Sequence, residues 1–193
     1  MIMTIGKDFQ DDTLLFNGVS LDNWEVIDFE GHGNVSIVDS CIIINKGELI
    51  SGIRWTEEFP KTNYEITLDA KRVDGRDFFC GMTFPVKESF LTLVLGGWGG
   101  SVVGLSSIDG YDAANNQTGN QYSFGSGWWY GIRLRVTDKK IEAWVEGEKI
   151  VDFTIGNSSL SLRSEVELSV PFGFTTYKTT GALRNIKLHE IND

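Results

Sequence analysis

The run Tyr64-Glu65-Ile66-Thr67-Leu68-Asp69-Ala70-Lys71 alternates apolar and polar side chains without a break. A period of two is the signature of a strand with one face buried and one face wet. As a helix, the same apolar residues would be scattered around the whole circumference and could not form one buried stripe. The rest of the chain repeats the theme. Strands are predicted over residues 35–39, 41–44, 48–55, 64–72, 78–84 and 90–95. Residues 128–137, 140–145 and 149–153 read as a meander, with Glu146-Gly147-Glu148 as a hairpin turn. Residues 164–170, 172–176 and 183–190 finish the series. Residues 96–107 and 123–127 are rich in Gly and Ser and read as loops. Only residues 113–117 offer one helical turn. Roughly a dozen short strands with no convincing helix predict an all-β fold, a two-sheet antiparallel β-sandwich.

A chain of 193 residues is long enough to bury a core, and it carries no linker or repeat. One domain is expected over residues 1–193, with 1–12 as a lead-in. The net charge of −10 and the absence of a Lys/Arg cluster exclude nucleic acid as a partner, because phosphate binding needs concentrated positive charge. No apolar run approaches the length of a membrane span. Residues 1–12 lack the apolar core of a signal peptide. The chain as it stands reads as cytoplasmic, or as exported if a targeting segment has been removed. Cys41 and Cys80 both sit in apolar runs and read as small buried thiols; spacing alone leaves a bridge between them open.

Several groups could carry chemistry. Glycoside hydrolysis usually uses two carboxylates, about 5–5.5 Å apart for retention and about 6.5–9.5 Å for inversion. Glu65 and Asp69 share the wet face of one strand, about 13 Å apart along the backbone, with Thr67 between them. Glu142 and Glu146 flank Trp144, and Glu165 and Glu167 are two apart. A solvated sheet face explains each of these pairs equally well. Residues 106–117 form the densest polar loop, with Asp109, Asp112, Asn115 and Asn116 as oxygen donors for sugar hydroxyls or for calcium. Long loops in compact folds are often functional, although an ordinary turn has the same composition. In Leu95-Gly96-Gly97-Trp98-Gly99-Gly100, four glycines surround one Trp. Either they clear space for an exposed indole that stacks on a sugar, or they serve a bulge beside a core Trp. Arg54, Arg76, Arg133 and Arg135 could clamp a carboxylate or a sugar oxygen; Arg133 and Arg135 share a strand face suited to pairing with the protein's own acids. His32 and His189 are far apart and match no metal-binding spacing.

Five segments, in order, carry a resemblance. The opening Leu15-Phe16-Asn17-Gly18, Leu21-Asp22 and Trp24 is followed by Gly47-Glu48-Leu49-Ile50 with residues 63–72. Trp128-Trp129-Tyr130, Ile141 to Gly147, and Leu183-Arg184-Asn185-Ile186 come next. Together they resemble the 3-keto-disaccharide hydrolase domain family, over nearly the whole chain. The resemblance implies a concanavalin A-like jelly roll that holds a carbohydrate on its concave sheet face. It departs from the family at residues 77–83 and across residues 96–100 and 109–116, segments that would line that face. A 3-keto group acidifies the neighbouring C–H, so a single base could start elimination of the aglycone. The expected catalytic residues are Asp109 and Asp112, with Glu65 and Asp69 behind them. Trp98, Asn115, Asn116, Arg54 and Arg76 are expected to bind substrate. A non-catalytic lectin-like module using the same face is the alternative, and a purely structural or protein-binding sandwich is the third reading.

Overall fold

The computed structural model describes residues 12–191. In chain order its strands are β1 (Thr13–Leu14), β2 (Trp24–Val26), β3 (Val35–Val38), β4 (Cys41–Ile44) and β5 (Ile50–Trp55). There follow β6 (Tyr64–Asp74), β7 (Cys80–Val86), β8 (Ser89–Gly97), β9 (Val102–Ser106) and β10 (Asn120–Gln121). The last are β11 (Trp129–Val136), β12 (Lys140–Val145), β13 (Glu148–Thr154), β14 (Gly173–Tyr177) and β15 (Thr180–Glu190). They form two antiparallel sheets. The first runs β13-β12-β11-β6-β15-β4-β3, with β1 also on β15; the second runs β10-β9-β8-β7-β14-β5-β2. The chain crosses repeatedly between the sheets, as a jelly-roll sandwich requires. The lead-in expected at residues 1–12 lies, except for Asp12, outside the described residues.

The core lies between the sheets. In β6, Tyr64, Ile66, Leu68 and Ala70 face inward and are buried, and Glu65, Thr67, Asp69 and Lys71 face outward. Tyr64 donates its hydroxyl proton to the Pro85 carbonyl at 2.6 Å, so the one polar atom of that buried ring is satisfied. Phe172 and Phe174 meet edge to face, and Trp24 packs tilted against both. Cys41 and Cys80 are buried free thiols, and burial pushes the Cys80 thiol pKa up. Among the described residues, no helix is long and apolar enough to cross a membrane.

Three local expectations are corrected. The Glu146 turn is a two-residue one: Val145 pairs with Glu148, and Glu146 and Gly147 both have positive φ, 49° and 79°. That is the twist-matched turn of tight hairpins. Residues 102–106 form a strand and not a loop. This strand lacks alternation because both of its faces are covered; Gly104 lies where an added Cβ would meet Thr118 O at 3.1 Å. Residues 164–170 are not a strand. Ser164–Ser169 form a 3₁₀ helix that buries Val166 and Ser169, three residues apart on one edge. The Ser169 hydroxyl bonds Thr83 Oγ1 of β7 at 2.7 Å. The segment is thus a strap laid over the outward face of the second sheet.

Candidate functional site

A groove of about 380 Å³ lies on that outward face, beside the strap. Its floor comes from side chains that alternate with core residues: Thr92 and Val94 of β8, Ser106 of β9, Ile50 of β5 and Tyr177 of β14. Asp77, Phe78 and Trp98 make one wall. Arg163, Glu165 and Val166 make the other, and Leu49 completes the lining. The Phe78 and Tyr177 rings stack with centroids 6.0 Å apart.

The Trp98 wall is held from below by a buried arginine. Arg72 is 5% exposed and donates to the carbonyls of Gly100 (2.9 Å), Asp77 (3.1 Å), Phe124 (3.1 Å) and Gly96 (3.2 Å). Burial lowers its pKa, against a smaller opposing pull from Asp77 and Tyr130. A Cβ at Gly96 would overlap Arg72 Nη2, and Gly96 itself has φ +78°. The strand bulges between Leu95 and Gly97, and Trp98 sits at φ +48° with 43% of its surface exposed. The glycines therefore serve both a bulge and an exposed indole. Asp77 fastens the wall: its Oδ1 accepts from Phe78 N at 2.8 Å and its Oδ2 from Gly99 N at 3.1 Å. On the strap, Arg163 donates to Glu165 at 2.7 Å, which holds the Glu165 carboxyl below its ordinary range and raises the guanidinium.

The polar loop is engaged with itself and its neighbours. Asp109 Oδ1 accepts from Ser159 N at 2.7 Å. Asp112 Oδ1 accepts from Ala114 N (3.0 Å) and Asn115 Nδ2 (2.8 Å), and Arg163 reaches its other oxygen at 3.4 Å. Asn116 donates to Leu105 O at 2.7 Å and Tyr111 O at 3.0 Å, and accepts from Thr118 N at 2.9 Å. Of the expected residues, Trp98 lines the groove, Asp112 touches it through Arg163, and Asp109, Asn115 and Asn116 build the loop behind it. Among the described residues, no group of three or more His, Cys, Asp or Glu side chains could hold a metal ion.

The remaining expected residues lie elsewhere. Glu65 and Asp69 are on the outward face of the first sheet, on the opposite side of the sandwich. Arg133 grips Glu65 through two bonds, 2.7 and 3.0 Å, and Arg135 lies 3.6 Å away. Asp69 accepts from Asn185 (2.8 Å) and Arg184 (3.1 Å). A shallow hollow of about 740 Å³ opens there beside Trp144, whose ring is flanked by Arg133 at 4.4 Å and Lys149 at 5.3 Å. Glu142 is tied to Lys149 and Glu146 to the Gly131 amide, so this pair braces the sheet face. Arg54 pairs with Glu25 at 2.7 Å, and Arg76 is exposed in the turn before Asp77. His32 lies near Asp28 and His189 near Asp12, so the histidines stay apart.

Sequence reasoning missed Asp77, Phe78, Tyr177, Arg163 and Val166. Asp77 and Phe78 did carry a signal, since they stand where the chain departs from the family pattern. Arg163 and Val166 carried none, because residues 164–170 read as one more strand.

Comparison with solved structures places the sandwich among carbohydrate-related folds. A protein from Parabacteroides distasonis assigned as a glycosyl hydrolase superposes with a TM-score of 0.61 at 14% identity, covering 99% of both chains. A galectin-like-fold protein of unknown function from Bacillus subtilis gives 0.63 at 13% identity, over 88% of this chain and 90% of that one. A carbohydrate-binding module from Bacillus subtilis gives 0.53 at 10% identity, over 87% and 96%. At such identities the likeness is one of fold. No curated protein shows significant sequence similarity to the chain. Residues 11–189 match the 3-keto-alpha-glucoside-1,2-lyase-like domain, so the chain belongs to that family.

Proposed function

We propose that the protein cleaves glycosides held in the groove of the second sheet, with 3-keto-glycosides as the expected class. Family membership over residues 11–189 supports this, and the carrying observation is the wall that sets the exposed Trp98 beside the Asp77 carboxylate. An indole face suits the C–H face of a pyranose, and a carboxylate suits its hydroxyls. In a 3-keto sugar the C2 proton is acidic. A carboxylate removes it, the electron pair forms the enolate, and the enolate expels the C1 oxygen. The aglycone leaves as an alcohol after taking up a proton, and the sugar leaves with a C1–C2 double bond. This route needs one base and not two carboxylates at fixed separation. Asp77 takes that role here, Trp98 is the platform, and Asp109, Asp112, Asn115 and Asn116 hold the loop and strap in place.

A second reading is favoured by one observation. Both Asp77 oxygens already accept backbone N–H groups, and Arg163 holds the Glu165 carboxyl below its ordinary range. Carboxylates already engaged by protein donors suit a binding module better than an eliminase. The test incubates the protein with 3-keto-glycosides, disaccharides and phenyl glucosides among them, beside their unoxidised parents, with and without EDTA. Cleavage of the keto forms alone, lost in Asp77→Asn with the fold retained, supports the enzyme reading. Binding without turnover supports the module. Cleavage of the parents alone points to ordinary glycosidase chemistry and sinks the elimination route.

A further inference from the structure

The groove also suggests what kind of aglycone it takes, an inference that rests on the glycoside reading above. Three of its side chains are aromatic, Phe78, Trp98 and Tyr177, and four more are aliphatic, Leu49, Ile50, Val94 and Val166. The two aliphatic hydroxyls on the floor, Thr92 and Ser106, already have protein partners, and the third hydroxyl there is the phenol of Tyr177. Thr92 Oγ1 lies 3.1 Å from Thr83 Oγ1, and Ser106 Oγ lies 3.3 Å from Ser107 Oγ. Ser106 is 2% exposed and Thr92 is 4% exposed. A second sugar ring laid on this floor would bring its hydroxyls against Val94, Ile50 and Val166, where they would lose water and gain few partners. The polar groups that can serve one sugar are concentrated in Asp77 and in the Arg163–Glu165 pair.

Charge narrows the class further. Arg163 is shared between Asp112 at 3.4 Å and Glu165 at 2.7 Å. With Asp77, three carboxylates stand against this guanidinium and the buried Arg72 behind the wall, so the balance stays negative and an anionic group would be repelled. We infer that the groove is built for a glycoside whose aglycone is flat, uncharged and aromatic. One sugar sits at the charged rim, and the ring lies among Phe78, Trp98 and Tyr177. The volume, about 380 Å³, falls within the range of small-molecule sites.

The test is calorimetric titration of the full chain, together with Trp emission. The ligands are phenyl glucosides of both anomers, the methyl glucosides, a glucose disaccharide and free phenol, with the glycosides also offered as 3-keto forms. Phenyl glucosides are expected to bind at least tenfold more tightly than methyl glucosides or the disaccharide. Leu49→Lys changes a lining residue that is 51% exposed, so the fold is not at risk. It should cut that preference at least threefold. If the disaccharide or methyl glucoside matches the phenyl glucoside, the aromatic-aglycone inference is overturned and the glycoside reading stands. If phenol binds as tightly as phenyl glucoside, the sugar contributes nothing and the glycoside reading itself falls. If no ligand binds, both fall.

Discussion

Replacing Arg72 by Met isolates the arginine that holds up the Trp98 wall. The side chain reaches four backbone carbonyls from three stretches of chain and lies 5.1 Å from the centroid of the Phe79 ring. Two of those carbonyls, Gly96 and Phe124, are in buried bonds. Leaving a buried acceptor unpaired costs about 1–3 kcal/mol. The other two are only partly buried and can regain water. Loss of the cation–π contact adds about 0.5–2 kcal/mol. Methionine fills most of the volume, and removing a desolvated cation returns part of the cost. The expected loss is about 2–5 kcal/mol, against about 5–15 kcal/mol for a typical domain. Urea denaturation followed by far-UV circular dichroism measures it. Acrylamide quenching of Trp emission should rise at the same time, because the Trp98 turn loses its support. Arg72→Lys should recover part of the loss, since an ammonium can serve some of the carbonyls but not all four directions. A loss below about 1 kcal/mol with unchanged quenching would refute this account of the wall.

Trp98→Ala should cost under about 1 kcal/mol of stability, since a surface change away from the core is cheap, yet weaken glycoside binding at least tenfold by titration; unchanged affinity removes Trp98 from the site. Glu65→Gln breaks the paired bonds from Arg133 on the far face. It should cost about 0.5–1 kcal/mol by denaturation and leave groove binding untouched; a binding defect would bring the first sheet back into the function. The Glu165 carboxyl is held below its ordinary value of 4.5 by Arg163, so the pair's contribution is complete above pH 4.5 and is lost as pH falls through the lower folded-state value. The pair is half exposed, so its contribution is well under about 1 kcal/mol. A carbon-13 NMR titration should place the Glu165 midpoint below 4.5 and return it to the ordinary value in Arg163→Gln; a midpoint at or above 4.5 in the parent protein contradicts the pairing.

Strands covered on one face announce themselves in this chain by alternation; those covered on both show only as short apolar runs, and β9, broken by Gly104, did not show at all. β6 alternates from Tyr64 onward because only its inner face is dry, and its register and orientation follow from that pattern. β9 is Val-Val-Gly-Leu-Ser, buried throughout, and the strap and polar loop that cover the second sheet lie elsewhere in sequence. No local period could report that cover. The strap failed for a related reason. Ser164 to Ser169 alternates as a strand would, but no open edge pairs with it, and its burial of Val166 and Ser169 follows a period of three. Trp98 was legible because four glycines beside one Trp are unusual. Asp77 stood at a departure from the family pattern, but its role and that of Arg163 were not legible, since they depend on the Gly99 amide and on Glu165 and Asp112, contacts set by tertiary folding.

The position of β14 and β15 governs how this chain can be made. β15 lies between β6 and β4 in the first sheet, and β14 lies between β7 and β5 in the second. Both central strands therefore leave the ribosome last. Until residues 173–190 emerge, each sheet is two halves with raw inner edges and no partner between them. Such edges are templates for pairing with other chains. Synthesis at about 5–20 residues per second leaves them uncovered for several seconds, and closing such distant pairings is slow in any case. Closure of the sandwich therefore waits on residues 173–190. A premature stop before residue 173 would release a chain with every upstream strand present and neither sheet able to close.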